Sequence, residues 1–314
     1  NYDKESVVKK LFVMTALSLV TSGAFAATVS GGSSSTYVQA VPSNLMAVGT
    51  AGIAMPTVAG ATANTSAVVS FKAGPIAQTN ALLSGYGTTS ALITNPGTGV
   101  ITSQTWKNKA AYNTEVYAYR QIAAPSPGFP QFGGEVIAKV SGAEVYFGEW
   151  APAKSGAQPT NSTDLNLSHA NRTVWFVGEN PTTSMPALVN AKYNVVGVNK
   201  YNPGTGAGIT SGVVNASYAS GSGSMSGTVG SINFAGTAIS SNGSFARADG
   251  SIKGQFYGSS AQAMALSHSV VAMTRKVVSG TATLSELNSA VIFGITTSSQ
   301  NRPLANSTAS TISG

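Results

Sequence analysis

The sequence predicts an all-β protein in two parts: a β-rich N-terminal domain over residues 27–185 and an eight-stranded antiparallel β-barrel over residues 186–314. Three observations predict it. From Leu188 to Tyr257, apolar and polar residues alternate with a period of two. Asn202-Pro203-Gly204, Asn242-Gly243 and Asp249-Gly250 break the alternation, and these are tight-turn sequences. Glycine, 35 of 314 residues, recurs inside the runs as well as in the turns. A small closed barrel needs such gaps beside its large interior side chains.

The chain opens with Lys9-Lys10, the apolar run Leu11–Val20 and Ala24-Phe25-Ala26. A charged start, an apolar core and an A-x-A site make residues 1–26 a leader and secretory signal peptide, cleaved after Ala26. Ten apolar residues are too few to span a bilayer. Cysteine is absent, which excludes disulfides, thiolate metal sites, cysteine nucleophiles and covalent haem attachment. It also leaves no residue for a lipid anchor, so the mature protein is expected to be released outside the cell.

Between Ala27 and Thr105, Lys72 is the only formally charged residue. Apolar patches at Tyr37–Val41, Leu45–Val48, Ile53–Val58 and Val68–Phe71 suggest short strands and long loops. This is either a weakly charged secreted surface or a set of apolar loops that fold over an apolar ligand. Tyr112–Arg120 then alternates as a strand, and Pro125, Pro127 and Pro130 mark a loop. Glu135–Val140 and Glu144–Trp150 form a hairpin about Ser141-Gly142-Ala143. A polar loop leads to the strand Thr173–Val177, and Gly178–Pro181 with Met185-Pro186 marks the domain boundary.

In the barrel, Val189, Ala191, Tyr193, Val195 and Gly197 share one face. Val214, Ala216 and Tyr218 follow, then Met225, Gly227 and Val229. Ile232, Phe234, Gly236 and Ala238 read as one strand face, and Ile252, Gly254, Phe256 and Gly258 as another. Ser260–Leu266 reads as a helical turn, with Val270–Val278 and Ala290–Ile295 as closing strands.

Charged residues are only 9% of the chain, and the net charge is +7. The basic residues are scattered and do not interleave with aromatics, so nucleic-acid binding is not expected. An enzyme is not expected either. No G-x-S-x-G elbow leads from a strand into a helix, and Gly204-Thr205-Gly206-Ala207-Gly208 reads as a turn. Most of the eight carboxylates beyond residue 26, a set that includes Glu135 and Glu149, lie on strand faces or turns and read as solvated. Tyr119 and Tyr146 read as core residues, as do Met46 and Met55.

The barrel motifs F-A-G-x-A-I at 234–239, G-x-F-A at 243–246, I-K-G-Q-F-Y-G at 252–258 and A-Q-A-M-A at 261–265 resemble the transferrin-binding protein B superfamily. Upstream, E-V-Y-F-G-E-W at 144–150 and V-W-F-V-G-E-N-P at 174–181 resemble the hemophilin family. Leu266-Ser267 departs from that family's pattern, where a glycine is expected. The resemblance implies an N-terminal clamp-like haem-binding domain ahead of the barrel. It also implies export from a Gram-negative cell by a Slam-type outer-membrane translocon, and delivery of haem to a TonB-dependent outer-membrane haem receptor.

Haem b held noncovalently needs apolar surface, an axial donor and polar groups at its propionates. Without cysteine the donor is His, Met or Tyr. The chain has two histidines, His169 and His268. His169 lies in the loop N-S-T-D-L-N-L-S-H-A, where scaffolded loops commonly carry binding residues. The resemblance makes it the leading iron ligand, with Leu165 and Leu167 lining the ring and Arg172 reaching a propionate. The expected function is a secreted haemophore serving iron acquisition. The alternative is a host-interaction or colonisation factor on the same scaffold, binding a protein or glycan without haem.

Overall fold

The computed structural model of the chain describes residues 27–278 except Pro96, and residues 281–297; over 269–297 only the backbone is described. The fold is all-β. The first part contains β1 (Val29–Ser33), β2 (Gln39–Pro42), β3 (Ala51–Ala54), β4 (Val69–Ser70), the helix α1 (Pro75–Leu82), β5 (Ser90–Thr94), β6 (Ile101–Lys109), β7 (Glu115–Gln121), β8 (Gly134–Lys139), β9 (Val145–Ala151) and β10 (Thr173–Glu179). Strands β5 to β10 form an antiparallel meander, and β1 pairs with β10 to give a seven-stranded sheet. A three-stranded sheet of β2, β3 and β4 stands apart from it.

Strands β7 to β10 of the larger sheet are buried on both faces, which is why β9 and β10 are almost continuously apolar. On one face Tyr117, Tyr119, Ile137, Tyr146, Trp150, Trp175 and Val177 pack against Val38, Ile53, Met55, Phe71 and Ile76 of the N-terminal segment. Phe71 stacks on Trp175, with ring centroids 5.0 Å apart. The apolar patches of 27–105 are therefore in large part a core layer over this sheet. Met55 belongs to that core, whereas Met46 is exposed, contrary to expectation. Pro75 starts α1 at a position where its missing N–H costs nothing.

The barrel comprises β11 (Leu188–Val198), β12 (Ile209–Ala219), β13 (Ser222–Val229), β14 (Ile232–Asn233), β15 (Thr237–Ile239), β16 (Ser244–Arg247), β17 (Ile252–Tyr257), β18 (Ala263–Val278) and β19 (Thr281–Thr297). Each of β11, β12, β13, β15, β16, β17, β18 and β19 pairs antiparallel with the next, and β19 pairs with β11. The circle closes on eight strands, as the sequence predicts. β14 is a short spur on β13. Tyr193, Val195, Val214, Ala216, Met225, Phe234, Phe245, Phe256, Met264 and Leu266 fill the interior.

Three barrel details differ from the sequence reading. Val189 points to solvent, because a register shift between Leu188 and Ala191 places Asn190 at φ 49°. Gly236, at φ 79°, turns the chain after Phe234, so Thr237 and Ile239 face inward and Ala238 outward. Ser260–Leu266 is not a helical turn: the turn ends at Ala261, and β18 runs from Ala263. Opposite Tyr257–Ile252 of β17, that segment completes the ladder, which outweighs its weak helical character.

The barrel's outer wall carries a second apolar stripe. Val196, Val198, Tyr201, Tyr257, Ala263 and Ala265 pack onto the remaining face of the seven-stranded sheet, against Val116, Ala118, Val136, Ala138, Phe147, Val174 and Phe176. One core thus joins the two parts of the chain. Tyr257 Oη also donates to the Ser30 carbonyl at 2.9 Å.

Candidate functional site at the loop end of the sheet

An antiparallel meander sends alternate loops to the same end. Loops 95–100, 122–133 and 152–172 therefore leave one end of the seven-stranded sheet together. Asn95 Nδ2 donates to Ser126 Oγ at 3.4 Å, linking the first two. Gln131 anchors the middle loop: its N–H donates to the Pro56 carbonyl at 2.6 Å, and its own carbonyl accepts from Trp150 Nε1 at 2.9 Å. Val100 and Phe129 are exposed on these loops, and Val58 is exposed on the N-terminal segment whose Pro56 and Thr57 carbonyls accept from Gln131.

Loop 152–172 is held from below. Leu165 and Leu167 are 3% and 6% exposed and belong to the core shared with the barrel. Asn166, at φ 58°, donates through Nδ2 to the Pro152 carbonyl at 2.8 Å. Asp164 is paired with Lys154. The hydrogen bond from Lys154 leads the causes that hold its carboxyl below the usual value. His169 lies exposed on a turn, with its N–H donating to the Asn166 carbonyl at 3.0 Å. The Asn171 N–H donates to His169 Nδ1 at 3.0 Å, so a neutral imidazole carries its proton on Nε2.

The four residues nominated from sequence share this loop but point in different directions. His169 faces solvent, while Leu165 and Leu167 face the core. Arg172 is also turned inward: its Nε donates to Glu149 Oε2 at 2.6 Å and its Nη2 to Asn199 Oδ1 at 3.0 Å. Glu149 is fully buried and also accepts the N–H groups of Lys200 and Tyr201, at 2.9 and 3.0 Å. Arg172 and Glu149 thus tie the sheet to the start of the β11–β12 connection. Leu165 and Leu167, expected to line a ligand, lie in the core, and Arg172, expected at a propionate, is paired with buried Glu149. His169 fits an axial donor by its exposure. As a metal donor through Nε2, His169 would carry its proton on Nδ1 and would give up the Asn171 bond. His268, in the barrel, is buried, and burial lowers its pKa.

Two further charged side chains escaped the sequence reading, and both lie near this end. Arg120 is 3% exposed, and Glu135 is fully buried with no partner for either oxygen among the described residues. Burial pushes the Glu135 carboxyl up to about 8. Parity held the signal: Arg120 is in phase with Val116 and Ala118, and Glu135 with Ile137, on faces that alternation marks as apolar. Among the described residues, no cluster of three or more His, Cys, Asp or Glu side chains could hold a metal ion.

A second concavity, of about 360 Å³, lies between β1 and the barrel wall. Ser30, Gly31 and Ser33 line one side, Lys253, Gln255 and Ser267 the other, with Phe176 between them.

No protein-family model matches the chain. Among solved structures the chain is similar to the crystal structure of the vaccine antigen Transferrin Binding Protein B, a double mutant, from Haemophilus parasuis Hp5. The identity is 10% and the TM-score 0.25, over 66% of this chain and 40% of that one. The matched region is under half the length of that protein, and a likeness at this score says nothing of ligand or partner.

Proposed function

We propose that the protein is a secreted, non-enzymatic haem-binding protein that takes haem b noncovalently at the loop end of its seven-stranded sheet. The observation that carries this reading is His169. It is an exposed imidazole on a loop anchored through Leu165, Leu167 and Arg172, and it stands at the same end of the sheet as the exposed Val58, Val100 and Phe129. A rigid scaffold presenting an imidazole at an end with apolar surface suits a ligand with apolar faces and a metal centre. Haem would supply an iron that takes a nitrogen donor; His169 would be that donor, and Val58, Val100 and Phe129 would supply apolar contact. Handover to a TonB-dependent receptor and export by a Slam-type translocon belong to the same reading, through the hemophilin-like motifs.

The alternative, a host-interaction factor without haem, is favoured by the groove along β1. There the ladder's alternation turns the backbone groups of Val29, Gly31 and Ser33 away from β10. Such an edge pairs readily with an extended chain.

A haemin titration followed by absorbance, with His169→Ala and His268→Ala beside the parent, separates the readings. The expected result is a sharp Soret band that saturates at one equivalent and changes only with His169→Ala. Saturation indifferent to both substitutions moves the iron to a Tyr or Met. A broad band that never saturates refutes the haem reading and leaves the partner-binding one.

A further inference from the structure

Beneath loop 152–172 lies a small crevice bounded by Arg120, Gly133, Gly134, Ala153, Lys154 and Asp164. We propose that this crevice is an anion subsite in which Arg120 receives a single anionic oxygen, such as that of a ligand carboxylate. As the place for a haem carboxylate the proposal rests on the haem reading above. As an anion site it stands on the following geometry alone.

The Arg120 guanidinium is withdrawn from water, yet Nε and Nη1 have no partner among the described residues. Its Nη2 donates to Gln104 Oε1 at 2.8 Å and to the Pro159 carbonyl. Both are neutral acceptors, and no carboxylate among the described residues lies within ion-pair distance of it. Asp164, the acid on the crevice rim, is taken by Lys154. Asp164 acts on Arg120 through space but is bonded to Lys154, so the guanidinium has no directly bonded counter-ion; a buried cation in that position is costly, and an anion within hydrogen-bond reach relieves the cost. The crevice has about 10 Å³ for such a group, the room of one water-sized atom. That is room for one oxygen of an anion whose remaining atoms stay at the rim, where a flat carboxylate needs less space than a tetrahedral oxyanion.

The crevice is built into the fold. Gly133, at φ 54°, and Gly134 let the loop lie directly on the sheet; a Cβ on Gly134 would run into the Leu165 carbonyl. Leu165, sunk in the core, holds the loop there. Lys154 and Asp164 on the rim are exposed and paired with each other, so the crevice meets solvent at the rim and an anion enters as that pair gives way.

The test is the melting temperature of the protein against sodium formate, sodium chloride and sodium sulfate at matched ionic strength. Arg120→Met and Ala153→Val are run beside the parent. Formate is expected to raise Tm along a saturating curve, as a ligand of the native state does. Sulfate is not, and Arg120→Met weakens the apparent formate affinity by about tenfold or more. Should Arg120→Met not fold, Ala153→Val, which fills the crevice and keeps the charge, carries the same expectation. Chloride acting as well as formate identifies a general small-anion site; formate alone identifies a carboxylate site; both support the proposal. No response in the parent means the crevice holds only water. A response shared with sulfate, or kept in Ala153→Val, means general salt stabilisation. Either result overturns the proposal. Failure of haemin uptake with the formate response intact defeats the haem reading alone.

Discussion

Glu135→Gln is expected to remove a pH dependence that runs opposite to that of most surface carboxylates. Glu135 is fully buried without a partner among the described residues, and burial raises its carboxyl to about 8 from the ordinary value of 4.5. In the unfolded chain it ionises at its ordinary value, so between the two values the folded state holds the extra proton. Stability on unfolding then falls as pH rises through that window and levels off above about pH 8. At about 1.4 kcal/mol per pH unit, the full window corresponds to an upper bound of about 5 kcal/mol; a loss of about 2–4 kcal/mol between pH 5 and pH 8 is the working expectation. The neutral amide cannot ionise, so the slope belonging to this group disappears in the variant. Its absolute stability is a poor guide, because the amide brings two donors of its own. Urea denaturation of both proteins at pH 5, 6, 7, 8 and 9 measures the difference directly. A difference that stays flat across that range refutes the reasoning, since it means that Glu135 ionises in the folded state as it does in the unfolded.

Two substitutions test the packing. Arg172→Met leaves Glu149 buried without its cation and is expected to cost about 3–5 kcal/mol in chemical denaturation. Were Arg172 instead an exposed propionate contact, haemin affinity would fall and stability would not. In the barrel, a Cβ on Gly254 would lie 2.6 Å from Leu266 Cβ and against the tip of the Phe245 ring. Gly254→Val should therefore cost about 1–3 kcal/mol by overpacking, and adding Phe245→Leu should recover part of it. No recovery in a thermal melt would mean that the ring is not what the new side chain meets.

The Gly254–Phe245 pair shows what was legible in the sequence. Alternation put Phe256 and Gly254 on one face, and the turns at Asn242-Gly243 and Asp249-Gly250 set β16 against β17, so that the glycine falls opposite Phe245. Local pattern and local turn chemistry suffice for such a pair, because hairpin register depends on near neighbours. What failed depended on distant partners or on single backbone angles. Nothing near Arg172 tells that Glu149 and Asn199 will enclose it. Nothing near Leu165 tells that the barrel wall will meet the loop from below. Asn190 and Gly236 each reverse the parity of a run through one positive φ, which composition does not specify. In the N-terminal segment the apolar patches were visible, but their role as cover for Tyr146 and Trp175 became clear only once the sheet was in place. For the site, the loop and its exposed histidine were legible; Arg120 was passed over because a lone basic residue in a strand is usually solvated.

The seven-stranded sheet has a covering on each side: the N-terminal layer on one face and the barrel on the other. A flat binding surface of the kind many open sheets offer is thus consumed by the fold itself. Recognition is left to the rim, the edge strand and the loops. Separating the two parts would break the apolar core they share and the bonds from Lys200 and Tyr201 to Glu149, so change is cheapest in the peripheral segments. Variation confined to 95–100, 122–133 and 152–172 can therefore change what the molecule grips without disturbing what holds it together, provided that Leu165, Leu167 and Arg172 stay as pegs.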